Sequence, residues 1–333
     1  MKPEASLART HIVERDDDGI RLDRWFKRHC PSLTHGRLEK LLRTGQVRLD
    51  GKRARAADRI AAGQEVRVPP QVANTPAPRE PGPKPVRTAG GPALQDLILY
   101  MDGSVIVLNK PPGLATQGGS GLTRHIDGML DQLRFEKNQR PRLVHRLDRD
   151  TSGVLVVART VPAAASLAKA LAQRDASKIY WALTRGVPKR AHGRIKAALA
   201  KEGARGAERM TIADRGDAKH AITDYVVVDR AGEEFAWVAA RPVTGRTHQI
   251  RVHLASLGTP IVGDFKYGAQ AARGKGAIAD RLHLHARSID IARPDGGRLV
   301  VTAPLPDHMM RSWELLGFDA DDATDRFSEG RKA

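Results

Sequence analysis

The chain has 333 residues, 41% of them apolar. That is ample for a buried core and, at roughly 100–200 residues per domain, for about two domains. It carries 56 Lys and Arg against 38 Asp and Glu, a net charge of +18, which favours polyanionic partners without specifying a fold. No run approaches the ~18 apolar residues of a membrane span. The N-terminus lacks the apolar core of a secretory signal and carries acids unlike a transit peptide, and the single cysteine, Cys30, excludes a disulfide framework and any multi-cysteine zinc site. A cytoplasmic protein that handles nucleic acid is expected.

Residues 1–15 read as a flexible N-terminus, followed by a small domain over 16–70. Leu22, Trp25 and Phe26 are spaced i, i+3, i+4, as on one face of a short helix, and Leu38, Leu41 and Leu42 predict a second helix that Gly45 ends. Gln46–Leu49 alternates like a strand, Asp50-Gly51 signals a tight turn, and Glu65–Val68 closes the unit as another strand. Residues 20–68 hold 13 Lys or Arg against 5 acids. Arg21, Arg24, Lys27, Arg28, Arg37, Lys40 and Arg43 share the helices with the core positions, so they are expected on solvent faces. A charged face is usually only a solvated one. A net +8 on so small a unit tilts the balance to a phosphate-binding surface, with Arg48 and Lys52 of the strand–turn segment among its candidates.

Residues 71–92 form a linker: Pro69 to Pro92 contains 8 of the 20 prolines and no apolar periodicity. The large domain spans 93–317. Ser104–Leu108 and Val154–Ala158 read as buried strands, Ile126, Met129, Leu130 and Leu133 have helical spacing, and Pro162 opens an Ala-rich helix to about Leu171. Further strands are expected at Ile179–Leu183, Ala221–Val228, Phe235–Pro242, Gln249–Leu254 and His283–Ile291. Strands outnumber helices without strict alternation, so the fold class is α+β around a mixed, largely antiparallel sheet. Residues 318–333, rich in Asp, are expected to be a disordered tail.

The densest chemistry lies in Arg142–Gly153, RLVHRLDRDTSG, where two carboxylates, three arginines and a histidine precede the Val154 strand. A carboxylate among arginines has its charged form favoured, which suits a nucleophile or electrostatic stabiliser better than a general acid. A structural ion-pair network is an equal reading of that composition. A second cluster, Arg241–Leu254, places Arg246, His248 and Gln249 after a Thr244-Gly245 turn. Its histidines match no metal-ligand spacing, and His283 and His285 read as satisfied structural histidines. In Lys178-Ile-Tyr-Trp-Ala182, Tyr180 and Trp181 point to opposite faces of a strand. A core ring is the default for either, and a ring that stacks on a nucleobase is the sharper reading. P-loop, dinucleotide-fingerprint and nucleophile-elbow motifs are absent.

Taken together, HRLDRDTSG (145–153), KIYWAL (178–183), TGRTHQIRVHLASLGTPIVGDFKYG (244–268), Leu284-His285-Ala286 and VLNKPPGLATQ (107–117) resemble the signatures of the RluA-type pseudouridine synthases. Most of residues 93–305 are covered. RLDRWFKRHCP and RLEKLLRTGQVRLDGKR resemble the S4 RNA-binding domain, so that the catalytic domain is preceded by a small S4-like α/β RNA-binding domain. The resemblance implies an isomerase that converts uridine in RNA to pseudouridine without metal or organic cofactor. It implies Asp148 as the essential carboxylate, Arg146 as the residue that helps displace the target base, Tyr180 as the ring packed on uracil, and Arg246 as the partner of Asp148. Asp150 is read as an anchor of the loop. The match is strongest to the RluC-like branch, which implies large-subunit (23S) ribosomal RNA or a ribosome assembly intermediate as partner, and a monomer. Transfer RNA as substrate, a non-catalytic S4-type RNA-binding protein, and a nucleoside hydrolase using the same Asp are the competing readings.

Overall fold

The computed structural model describes residues 9–30, 33, 35–69, 72, 92–119, 122–173, 175–203, 208–321 and 327. The chain divides into two units, Met1–Gly91 and Pro92–Ala333. Except for Val72 and Pro92, the expected linker at 71–92 lies outside the described residues.

In the first unit, Leu22–His29 and His35–Arg43 are helices, and Leu22, Trp25, Phe26, Leu38, Leu41 and Leu42 are all buried in one core with Val66, Val68 and Val72. That core packs with a four-stranded sheet of order β1-β4-β2-β3, comprising β1 Arg9–Ile12, β2 Arg48–Leu49, β3 Lys52–Arg53 and β4 Glu65–Val68. Asp50 and Gly51, at φ 48° and 72°, turn β2 into β3, the doubly positive φ that tight hairpins demand. Residues 9–15, expected to belong to a flexible N-terminus, are ordered. Arg9–Ile12 pairs antiparallel with Glu65–Val68 and Val13 is buried, because an edge strand takes its order from backbone pairing that composition does not register. Residues 1–8 lie outside the described residues.

The second unit is built on an eleven-stranded sheet. Its strands are β5 Ile98–Met101, β6 Val105–Lys110, β7 Arg142–Leu143, β8 Ser152–Ala158, β9 Ser177–Arg185, β10 His192–Glu202, β11 Arg209–Ile212, β12 Lys219–Ala231, β13 Phe235–Pro242, β14 Leu284–Ala292 and β15 Arg298–Thr302. The order is β11-β10-β12-β13-β9-β14-β8-β6-β5, with β15 on β14 and β7 on β8. Only β14 and β8 pair in parallel, so the sheet is mixed and largely antiparallel. Strand β8 is buried along its whole length. Val154, Val156 and Ala158 pack toward the Val161–Ala172 helix, while Leu155 and Val157 pack toward the helical turns carrying Ile126, Met129, Leu130 and Leu133. A strand covered on both faces reads as the continuous apolar run seen in its sequence.

Two expectations are overturned in this unit. Gln249–Ser256 is a helix, not a strand. Its alternation of Ile250, Val252 and Leu254 imitates period two because every residue from Gln249 to Leu254 is buried. Ile250 and Leu254, four apart, face Ala182, Tyr225 and Ala240, while Val252 faces Leu199 and Ala221. The start of the expected disordered tail is ordered: Phe318 and Phe327 are buried with Trp181, Trp237 and Trp313, the last carried by an Asp307–Leu316 helix. Two isolated aromatics outweigh the acidic composition there because they bury large apolar area.

Candidate active site

The loop between β7 and β8 is held from several sides. Thr116 Oγ1 donates to Leu147 O at 2.7 Å and accepts from Leu147 N at 3.2 Å, and Gly113 N donates to Arg149 O at 2.9 Å. The Lys110 ammonium is fully buried and donates to Pro111 O, Leu114 O and Arg149 O at 2.9, 2.7 and 2.9 Å. Burial pulls its pKa down to about 7, opposed by the charges of Asp150 and Asp148. His145 Nε2 accepts from Val156 N at 2.8 Å, and burial lowers its pKa to about 4, so the ring is neutral. At the loop's end Gly153 has φ 106°, and a Cβ there would sit 2.2 Å from Ala286 O. Only glycine lets the loop pass β14 so closely.

These restraints present Asp148 in a pocket of about 150 Å³ with Arg146, Tyr180, Thr247, His248 and Arg251. Among the described residues Asp148 is the one carboxylate lining it. Arg251 Nη1 and His248 Nε2 each lie 3.7 Å from Asp148 Oδ2. Arg251 is fixed by two hydrogen bonds to the buried Asp264, at 2.8 and 2.7 Å, and lies over the Tyr267 ring at 5.0 Å. Burial would lower its pKa, but Asp264 and Asp148 outweigh that and raise it. His248 sits at φ 54° at the start of the helix and shares a 2.5 Å hydrogen bond with Tyr267 Oη. Burial lowers its pKa against the opposing charge of Asp148. Tyr180 projects from β9 with its hydroxyl held protonated, chiefly by burial and then by Asp148. Its neighbour Trp181 turns to the opposite face, into the tryptophan cluster.

Four residues singled out in the sequence thus meet here: Asp148 lines the small pocket, and Arg146, Tyr180 and Arg246 line both it and an adjoining cleft of about 1510 Å³. One assignment is corrected. Arg246 does not pair with Asp148; it is exposed and its Nε donates to His220 O at 3.1 Å, while Arg251 supplies the cation. The physical reason is the helix: it turns Arg251 inward toward the loop and leaves Arg246 on the preceding turn. Gln249 fixes that turn, accepting from Arg246 N and Thr244 Oγ1 and donating to Ile222 O. The loop anchor is Lys110 rather than Asp150, whose ion pair is with the adjacent Arg149, both partners largely exposed. Sequence reasoning does not single out Lys110 and Arg251, although a charged residue inside an apolar run, as in VIVLNK and QIRVHL, is the available signal.

His283 and His285 are structural. His285 Nε2 donates to Ala303 O and Nδ1 accepts from Ser152 Oγ, and His283 is bonded to Arg281 O and Ser312 Oγ. Among the described residues no group of three His, Cys, Asp or Glu is placed to hold a metal. In the first unit Arg21, Arg24, Lys27, Arg37, Lys40, Arg43 and Lys52 are exposed. Arg21 pairs with Asp23 at 2.6 Å. Arg48 is half-buried, donating to Gly45 O and Gly51 O at 3.3 and 2.9 Å, so it fastens the turn.

Residues 104–256 match the family model described as RNA pseudouridylate synthase. The chain is 35% identical over 322 residues to the ribosomal large subunit pseudouridine synthase C of Escherichia coli O157:H7, covering 95% of this chain and 99% of that one. It is also 35% identical to the mitochondrial RNA pseudouridine synthase 4 of Arabidopsis thaliana, covering 88% and 78%. The solved structure of human RNA pseudouridylate synthase domain containing 4 is 30% identical, with a TM-score of 0.57, over 68% of this chain and 95% of that one.

Proposed function

Because this chain belongs to the RluA-type family of RNA pseudouridine synthases, we propose that it isomerises uridines of large-subunit ribosomal RNA, with Asp148 as the carboxylate that acts on the ribose. The reaction breaks the bond from C1′ to N1 of uracil and remakes it to C5, and the C5 proton leaves to water. The observation that carries the assignment is that Asp148, among the described residues, is the only carboxylate in the small pocket and lies 3.7 Å from the anchored Arg251. A carboxylate placed beside C1′ stabilises positive charge there or bonds to it, as in glycoside hydrolysis.

The rest of the pocket serves that step. Tyr180 offers a neutral ring as a stacking platform for the flipped base, and Arg146, exposed at the rim shared by pocket and cleft, fills the place left in the stack. Holding the detached uracil in a pocket of about 150 Å³ keeps it beside C1′ for recapture. The support for ribosomal RNA is the likeness to the ribosomal large subunit enzyme over nearly both full lengths. The exposed basic helices of the first unit supply an S4-like RNA-binding face.

The test is tritium release from ribosomal RNA carrying [5-³H]uridine, comparing the native chain with Asp148→Asn. Release by the native chain alone, with no free uracil, is expected. Free uracil would mean a hydrolase, and release from transfer RNA alone would move the substrate. Replacing Arg24, Lys27, Lys40 and Arg43 together by Ala is expected to flatten the salt dependence of RNA binding, lowering the log–log slope by ~0.7–0.9 for each phosphate no longer neutralised. An unchanged slope removes the RNA-binding role of that face.

A further inference from the structure

The cleft beside the catalytic pocket contains a built arrangement that the isomerisation itself does not use. Arg194 on β10, Asp224 on β12 and Arg241 on β13 are direct cross-strand neighbours, Arg194 opposite Asp224 and Asp224 opposite Arg241. Asp224 accepts from Arg194 Nε and Nη2 at 2.6 and 3.0 Å and from Arg241 Nη2 at 3.0 Å. Its burial would push the carboxyl up, but the two guanidiniums hold it below the ordinary carboxylate value. The acid is 11% exposed at its side chain, Arg241 23% and Arg194 53%, so the row presents cations outward from a sunken anion.

A single guanidinium already neutralises the charge of a carboxylate. The second guanidinium on the same carboxylate brings two like charges together, a cost that a further anion in the cleft offsets. Among the described residues, Arg194 Nη1 and Arg241 Nε and Nη1 make no hydrogen bond and remain to meet one. The same cleft is lined by Arg146, Lys178 and Arg246, so the positive wall continues to the catalytic pocket. The face of Arg241 is covered by the buried Phe327 ring at 4.7 Å, which leaves the edge of its guanidinium to meet a phosphate.

We infer that Arg194 and Arg241, pre-oriented by Asp224, form a subsite for the phosphodiester backbone of nucleotides flanking the target uridine. The inference rests on the reading of this chain as an RNA isomerase. It names Asp224 as a positioning residue: the carboxylate aims the guanidiniums and does not touch the RNA.

The experiment measures binding of end-labelled single-stranded uridine-containing RNA to the full chain across a salt series, for Arg194→Gln, Arg241→Gln, Arg194→Lys and Asp224→Asn, with melting followed in parallel. Each Arg→Gln is expected to weaken binding about tenfold, as loss of one charge-assisted hydrogen bond does, and to lower the log–log salt slope by ~0.7. Arg194→Lys should restore the slope, and free uridine, which carries no phosphodiester, should show no difference between variants. Unchanged slopes, or slopes that change only in proportion to a lowered melting temperature, overturn the subsite and leave a clamp across the sheet. Binding losses in Phe327→Ala as large as in Arg241→Gln would instead assign the contact to Phe327 and also overturn it. Because the readout is binding, it stands apart from tritium release: absent turnover with intact variant differences would refute the isomerase reading alone.

Discussion

Replacing Arg251 by Met separates the two things that this side chain does. Its guanidinium meets Asp264 through two hydrogen bonds at 2.8 and 2.7 Å, with Asp264 only 1% exposed, and stands 3.7 Å from Asp148. Removing one member of a buried ion pair leaves the other charged and unsolvated, which costs about 3–5 kcal/mol. For a unit of this size each kcal/mol moves the melting temperature by roughly 2–4 °C, so Arg251→Met should melt roughly 6–20 °C below the native chain. The double variant Arg251→Met with Asp264→Leu replaces the pair by apolar groups and should recover most of that loss. It does not restore the cation beside Asp148. Tritium release by the refolded double variant should therefore stay roughly a hundredfold down, the cost of a misplaced reacting group. Arg246→Met, at an exposed position, should melt within about 0.5 kcal/mol of native. Calorimetry and single-turnover release read both quantities. A single variant that melts like the native chain would refute the buried pair with Asp264, and a double variant that isomerises at the native rate would refute the assignment of Arg251 as the partner of Asp148.

Gly153→Ala should destabilise by about 3 kcal/mol or more, since its Cβ would meet Ala286 O, C and N at 2.2, 2.7 and 2.8 Å on top of the strain of φ 106°. Gly113→Ala, at φ 87° with no atom within 4 Å, should cost about 1 kcal/mol. Equal urea midpoints for the two would show that contact with β14 does not set the loop. The buried histidines predict acid sensitivity: burial lowers His145, His253 and His283 to about 4 and His285 to about 3. Between pH 6.5 and about 4 the unfolded chain takes up protons that the folded chain refuses. Stability is therefore complete above 6.5 and falls as pH drops through that window. At pH 5.5 the loss is about 1.4 kcal/mol per histidine, about 6 kcal/mol for the four. Urea midpoints at pH 7.5 and 5.5 measure it, and His285→Gln should remove about a quarter of the difference; a midpoint indifferent to pH would count against neutral burial of these rings.

Much of this protein is legible where local chemistry and long-range packing agree. The run from Val154 to Ala158 is a strand in any fold that covers both its faces, and Leu22, Trp25 and Phe26 mark a buried helix face by spacing alone. Asp148 is legible because the residues around it, from His145 to Gly153, lie in one short loop. Tertiary structure decided what depends on residues far apart in sequence. Period two and a fully buried helix look alike in Gln249–Leu254, and only the sheet packed against Ile250 and Leu254, with Val252 turned to Leu199 and Ala221, shows which is present. The choice of Arg251 over Arg246 follows from that helix, since a turn of helix and not the order of residues aims each guanidinium. The burial of Lys110 under three carbonyls and the meeting of Arg194, Asp224 and Arg241 across three strands belong to the same class. A sequence states each residue's own preferences, whereas a charge in the interior is stabilised only by partners that the folded chain brings to it.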